Sequence, residues 1–198
     1  MHLNKLVFLL TSTVFLGSVI GAIVGGASLF VRVPWYTTVI EGGLLATNSL
    51  MGFWAYLMLD YTAVLTLPRR VWRWSQALII ALVLYDMVYW RQHYAGVTHL
   101  GLQNHPISYI MQGLVPFVVA LALAFVKGWM DGKSSFLPTL FYLYVITVLD
   151  WLLVLRLHSN GIIDQMGLII LLCNVYIIFI YGMLVKRSVH PSIVALES

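Results

Sequence analysis

About six long runs of apolar residues dominate the sequence, and they constrain the fold more than any other feature. A helix that crosses the hydrocarbon core of a bilayer needs roughly 20 mostly apolar residues, and each run approaches or exceeds that length. The runs cover residues 6–30, 37–67, 74–90, 107–125, 136–155 and 165–185. This pattern predicts an all-α fold, a polytopic membrane helical bundle with about six transmembrane helices.

Composition supports the membrane interpretation. Hydrophobic residues make up 61% of the 198 residues and charged residues only 9%, which is too little polar surface for a water-soluble globule. The longest stretch outside the runs, 92–106, has the length of a loop, and both tails are short. We therefore expect a single integral-membrane domain over residues 1–198, with no separate catalytic or DNA-binding module.

The basic residues predict the orientation of the bundle. The formal net charge is +4, but Lys and Arg lie at the ends of the apolar runs, which indicates contact with anionic membrane lipid and not with nucleic acid. The side that holds both tails carries Lys5, Arg69, Arg70, Arg73, Lys127, Lys133, Lys186 and Arg187, whereas the other side carries Arg32, Arg91 and Arg156. By the positive-inside rule, both termini should be cytoplasmic.

Three carboxylates should lie at a similar depth near the outer ends of the helices, namely Glu41, Asp86 and Asp150. Asp86 precedes Arg91 by five residues and Asp150 precedes Arg156 by six, which places each carboxylate about 7–9 Å inside its arginine along the helix axis. A charge at membrane depth costs at least a few kcal/mol unless it is paired or hydrated. We expect interhelical pairs between these acids and Arg32, Arg91 and Arg156, either as a structural network or as an outward-facing pocket that senses or binds a ligand.

Two further polar residues have simpler interpretations. Asp60, near the inner end of the second run, is expected to pair with the nearby arginines Arg69, Arg70 and Arg73. Asn174, inside the sixth run, is expected to form a hydrogen bond across helices, since polar side chains join helices in lipid in this way.

The first run contains Gly17, Gly21 and Gly25 at spacings of four residues. Such a small-residue face lets two helix backbones approach closely and pack in lipid. Two interpretations are open. The face packs against another helix of the same chain, or it docks a second copy or a partner protein.

The common motifs of nucleotide, zinc, haem-attachment and serine-hydrolase chemistry are missing from the sequence. We therefore predict no catalytic residue, metal site or cofactor, and a protein that is not an enzyme. Four histidines, which share the predicted outer side, leave a metal or pH role open, although their spacing matches no standard ligand motif. They are His93, His99, His105 and His158.

Three segments resemble one known family. They are "VLYDMVYWR" (83–91), "ITVLDWLLVLR" (146–156) and "LLCNVYIIF" (171–179), and with the chain length and six-helix layout they resemble the KbaA family of KinB-signalling activation proteins from spore-forming bacilli. The resemblance implies a multi-pass protein of the bacterial plasma membrane that promotes signalling by the sensor histidine kinase KinB, at the head of the phosphorelay leading to sporulation. The implied partner is that kinase or an accessory protein of it. No catalytic or ligand residue follows from the resemblance.

A function of another class is also open. A small membrane transporter or an intramembrane enzyme could use an outer-leaflet pocket made of Glu41, Asp86 and Asp150. A transporter of this kind should have broken helices and access from both membrane faces. Because no two corresponding runs are conspicuously interrupted, the sequence favours a regulatory protein.

Overall fold

The computed structural model describes residues 3–26, 34–90, 106–155 and 160–194, with side chains over 4–25, 34–89, 113–152 and 165–185. All the regular structure within these ranges is helical. Six helices are present there, which confirms the predicted all-α class and helix number. Arg32, Arg91, Arg156 and the four outer histidines lie outside the described residues.

Helices α1 and α2 cover Leu3–Gly26 and Trp35–Thr66, and α3 covers Arg69–Tyr85 and continues into a π-helical turn over Asp86–Trp90. Helix α4 covers Pro106–Asp131, and a short 3₁₀ turn follows over Lys133–Ser135. Helix α5 is made of three consecutive segments, Phe136–Phe141, a π-helical Tyr142–Ile146, and Thr147–Leu155. Helix α6 covers Asn160–Val194.

Several helices extend beyond the apolar runs that predicted them. Helix α3 begins at Arg69 and not at Trp74, because the Pro68 carbonyl accepts the Trp72 N–H at 3.1 Å and closes a first turn that contains Arg69 and Arg70. Helix α4 continues to Asp131, past the predicted end at residue 125. An apolar run marks only the part of a helix suited to hydrocarbon, whereas backbone hydrogen bonding continues into the polar residues beyond it.

Five helices are long and apolar enough to cross a membrane, in the part of the chain that was described. They lie within Asn4–Gly25, Arg69–Tyr89, Gly113–Asp131, Lys133–Leu152 and Gln165–Val185. Helix α2 does not meet this criterion. It contains Glu41, Asn48 and Asp60 along with several hydroxyl residues, and these polar side chains lower its hydropathy.

The chain divides into two compact units, each with its own core. The first unit contains residues 1–55 and 149–198. Its core is made of small and aliphatic side chains, namely Val24, Leu45, Ala46, Met166, Ile169, Ile170 and Cys173. The thiol of Cys173 is free and buried, as expected for a small apolar core residue.

The second unit contains residues 56–148 and has a core rich in aromatic rings. The ring of Phe141 lies 6.2 Å from that of Trp72 and 6.1 Å from that of Tyr56, measured between centroids. The five residues of the π-helical segment Tyr142–Ile146 are all buried. Aromatic side chains bury large areas, so these contacts fix α3 against the first half of α5.

Candidate functional site: a buried polar cluster

Asp150 and Asn174 form an interhelical hydrogen bond inside the first unit. The Nδ2 of Asn174 in α6 donates to the Oδ2 of Asp150 in α5 across 3.4 Å. Asp150 is only 5% exposed and Asn174 is fully buried. At 3.4 Å this bond is long, but it is the interhelical contact predicted for Asn174.

Helix α2 supplies a third member of the cluster. The side chain of Asn48 hydrogen-bonds to the Asp150 carboxylate, so donors from two helices meet one acid. The sequence did not predict a role for Asn48, because nothing along the chain connects it with Asp150. The only signal was its position in an otherwise apolar stretch of α2, where an amide side chain needs a partner. We call Asn48, Asp150 and Asn174 the polar cluster.

A glycine in α6 allows the close approach that brings the cluster together. A Cβ atom added at Gly167 would lie 2.8 Å from Cε2 and 2.9 Å from Nε1 of the Trp151 indole, closer than real Cβ contacts permit. Trp151, the residue after Asp150, is itself buried. Gly167 therefore leaves room for the indole against α6, and this packing positions the neighbouring carboxylate.

The glycine face of α1 lies against α2 of the same unit. A Cβ at Gly17 would approach the Gly42 carbonyl oxygen at 2.6 Å, and one at Gly21 would approach the Gly42 Cα at 3.1 Å. A Cβ at Gly25 would collide with the side chain of Thr38. The facing residues of α2, Thr38, Gly42 and Ala46, are also small and spaced by four. The structure thus places this face in a contact within the chain.

The three predicted acids differ in exposure. Asp150 is buried, Glu41 is half-buried, and Asp86 is exposed at the start of the π-helical turn that follows α3. Glu41 makes no ion pair or hydrogen bond with any residue that the structure describes. Since all three arginines lie outside the described ranges, the pairing of these acids with Arg32, Arg91 and Arg156 stays a prediction.

Asp60 has a different partner from the one predicted. Its Oδ1 accepts a hydrogen bond from the indole Nε1 of Trp72 at 2.8 Å, and the carboxylate forms no ion pair with Arg69, Arg70 or Arg73. The expectation of an acid–arginine pair was wrong because Trp72, on the buried face of α3, is the residue that reaches α2.

Among the side chains that are described, no group of three or more His, Cys, Asp and Glu residues could hold a metal ion. The polar cluster offers one carboxylate and two amides. Such a set can hold helices together or bind a small polar ligand, and it contains no nucleophile paired with a base.

Comparison with known proteins places the chain beside a sporulation family. The family model KbaA, described as KinB-signalling pathway activation in sporulation, matches residues 8–184, a range that includes the whole polar cluster. A KinB-signaling pathway activation protein from Bacillus subtilis (strain 168) is 25% identical over 146 residues, which is 72% of this chain and 69% of that protein. No solved structure matches the chain.

Proposed function

We propose that this chain, which belongs to the KbaA family, promotes a KinB-type signalling pathway that leads to sporulation. It acts as a multi-pass regulatory protein of the bacterial plasma membrane and not as an enzyme. The observation that carries the proposal is the family match, which extends from α1 into α6. The Bacillus subtilis relative is named for the same pathway, which supports the proposal.

Surface chemistry supports the membrane location. Large apolar side chains are exposed on several helices, including Phe15 at 72%, Trp74 at 73% and Leu78 at 68%. Monomeric soluble proteins rarely expose continuous apolar surfaces of this extent. Five helices with the length and hydropathy of membrane spans agree with this location, and the distribution of Lys and Arg favours cytoplasmic termini.

The polar cluster suggests how such a protein acts without catalysis. In hydrocarbon, apolar burial does not drive helices together, and hydrogen bonds between polar side chains stabilise a particular helix arrangement. The cluster joins α2, α5 and α6 through Asp150 and its two amide donors. A regulator that contacts its kinase through helix surfaces needs such a defined arrangement, so the cluster is the site where we expect substitutions to alter signalling.

The direct partner is proposed to be the membrane sensor histidine kinase or an accessory protein of it. Chemical cross-linking in native membranes, followed by purification of the tagged full chain, tests this. We expect the kinase or its accessory protein to be enriched over a control in which an inserted but inactive variant replaces the chain. Equal recovery from both membranes would contradict a direct contact.

Reconstitution in vesicles distinguishes a regulatory protein from the alternative, a transporter or an intramembrane enzyme. A transporter or an intramembrane enzyme that uses Glu41, Asp86 and Asp150 would move or convert its substrate without the kinase. If the purified chain alone, in vesicles, moves or converts a small molecule and this depends on Asp150, the regulator proposal is wrong.

A further inference from the structure

A cavity of about 520 Å³ lies at the start of α3, within the second unit. It is lined by Arg69, Arg70, Arg73, Trp74, Ala77 and Leu137. Helix α3 supplies all of these residues except Leu137, which comes from the first turn of α5. The lining therefore combines three cationic side chains with three apolar ones. The polar cluster belongs to the other unit and shares none of these residues.

Within the described ranges, no acidic side chain compensates the charge of the three arginines. All three are exposed, and none of their guanidinium groups forms an ion pair or a hydrogen bond with a residue in the described ranges. The acid expected to neutralise them, Asp60, instead accepts the Trp72 indole N–H. The sequence places three guanidinium groups close together, and the described part of the fold leaves them available to an anion.

The start of the helix increases the positive potential. The first turn of α3 contains no acidic residue, and its N-cap, Pro68, provides no side-chain hydrogen bond. The first N–H groups of a helix lack intrahelical partners, and its dipole is positive at this end. Arginine at such a position is electrostatically unfavourable unless an anion is bound. Guanidinium groups form bidentate hydrogen bonds with phosphate, which makes phosphate the best match.

An apolar surface leads away from the arginines along the same helix. Trp74, Leu78 and Leu82 are exposed at 73%, 68% and 62%, and their spacing of four places them on one side of α3. From Arg73 to Tyr85 the helix rises about 18 Å. That distance is close to half of the roughly 30 Å hydrocarbon core of a bilayer. The surface thus has the length of one acyl chain.

We propose that the cavity and this apolar surface together bind one anionic phospholipid. The phosphate lies on Arg69, Arg70 and Arg73, Trp74 packs at the interface where tryptophan is enriched in membrane proteins, and an acyl chain follows Leu78 and Leu82. A soluble phosphate compound would satisfy the arginines but would leave the apolar surface unused. The inference rests on the proposed membrane location and does not involve the kinase.

Native mass spectrometry of the full chain in detergent tests the site. The probes are long-chain phosphatidylglycerol, long-chain phosphatidylethanolamine, dihexanoyl phosphatidylglycerol and inorganic phosphate. We expect one long-chain phosphatidylglycerol to bind in preference to the other three. The R69Q/R70Q/R73Q variant should weaken this binding by roughly 100-fold, because each basic residue near an anionic headgroup contributes to the attraction.

A charge-matched control distinguishes a specific lipid site from general electrostatic attraction between the protein and anionic lipids. The K5Q/K133Q/K186Q variant removes the same charge from the same predicted side, and it should bind phosphatidylglycerol as the wild type does.

Leu82→Asn should weaken binding of the long-chain lipid and leave binding of the dihexanoyl lipid unaffected. Leu44→Asn, which changes another exposed leucine, should alter the binding of neither lipid. Circular dichroism checks that each variant keeps its helix content, and R73Q provides a milder form of the triple change.

Each of the following three outcomes would contradict the proposal. Equal losses in the two triple variants would mean that binding reflects net charge alone. If inorganic phosphate binds as tightly as the long-chain lipid and Leu82→Asn has no effect, the site recognises a soluble phosphate. Stronger binding of an acidic peptide than of any lipid would indicate a protein partner. Because the purified chain is measured without the kinase, failure here leaves the KinB proposal standing, and failure of that proposal leaves the lipid site standing.

Discussion

Asp150 and Asn174 are 24 residues apart in the sequence and meet in a buried hydrogen bond. The sequence predicted that each was a polar residue that needed an interhelical partner, because an isolated polar group in hydrocarbon is costly. It could not identify the partner. For Asp150 the predicted partner was an arginine, whereas the described structure gives it two amides, Asn174 and Asn48. Which side chains meet depends on helix rotation, which apolar runs leave undetermined.

Removing the donor from this pair should destabilise the protein. We expect Asn174→Leu to lower the free energy of unfolding by about 1–2 kcal/mol, because a buried carboxylate oxygen loses its hydrogen bond. Unfolding in sodium dodecyl sulfate, followed by circular dichroism, measures the change. Leu149→Ala, at an exposed position beside Asp150, is the control and should have a smaller effect. An unchanged unfolding midpoint for Asn174→Leu would mean that the hydrogen bond contributes nothing to the stability of the protein.

Asp86 allows its two predicted roles to be separated. It is exposed, and exposed substitutions usually change stability by no more than about 0.5 kcal/mol. We therefore expect Asp86→Asn to leave protein abundance normal while it reduces sporulation signalling, as a sensing residue would. Abundance by immunoblot and signalling by a sporulation reporter should be measured in one strain. Reduced abundance would indicate a structural network, and undiminished signalling at normal abundance would leave Asp86 without either role.

At the scale of helices, the apolar runs predicted the number of elements well and their internal geometry poorly. Helix α5 has its predicted bounds, yet it contains a π-helical segment, Tyr142–Ile146, just before Asp150. A second π-helical turn begins at Asp86. Such turns are frequent at functional sites, and both precede or contain a candidate acid. Hydropathy does not reveal them, since one extra residue in a turn leaves an apolar run unchanged.

The contact between α1 and α2 yields a prediction at this scale. Gly21→Leu should weaken the association of these helices by about 1–3 kcal/mol, the usual effect of overpacking, because its side chain would collide with the Thr38 backbone. Membrane insertion should be unaffected. Ile23→Leu, at an exposed position on the same helix, is the control. Cross-linking between cysteines introduced into α1 and α2 reports association. Normal cross-linking with normal signalling would show that the close approach is dispensable.

For the whole molecule, we predict a bundle with both ends in the cytoplasm. The prediction comes from eight basic residues on one side against three on the other. Reporters fused after Lys133 and after Ser198 should report cytoplasm, and a reporter within residues 95–104 should report the outside. The 37–67 segment is the sensitive point, because α2 is not among the five helices that are apolar enough to cross a membrane. If α2 does not cross the membrane, the remaining five helices place the two ends of the chain on opposite sides, and a reporter at the N-terminus will disagree with the one after Ser198.

The most direct test of the central claim measures sporulation signalling with and without the kinase. In a spore-forming strain that lacks its own KbaA-family protein, expression of this chain should restore a KinB-dependent reporter. It should have no effect when the kinase gene is also deleted. Asn174→Leu should restore less signal than Leu149→Ala at equal abundance. Restoration that persists without the kinase would contradict the account, since the chain would then act outside the pathway that its family names.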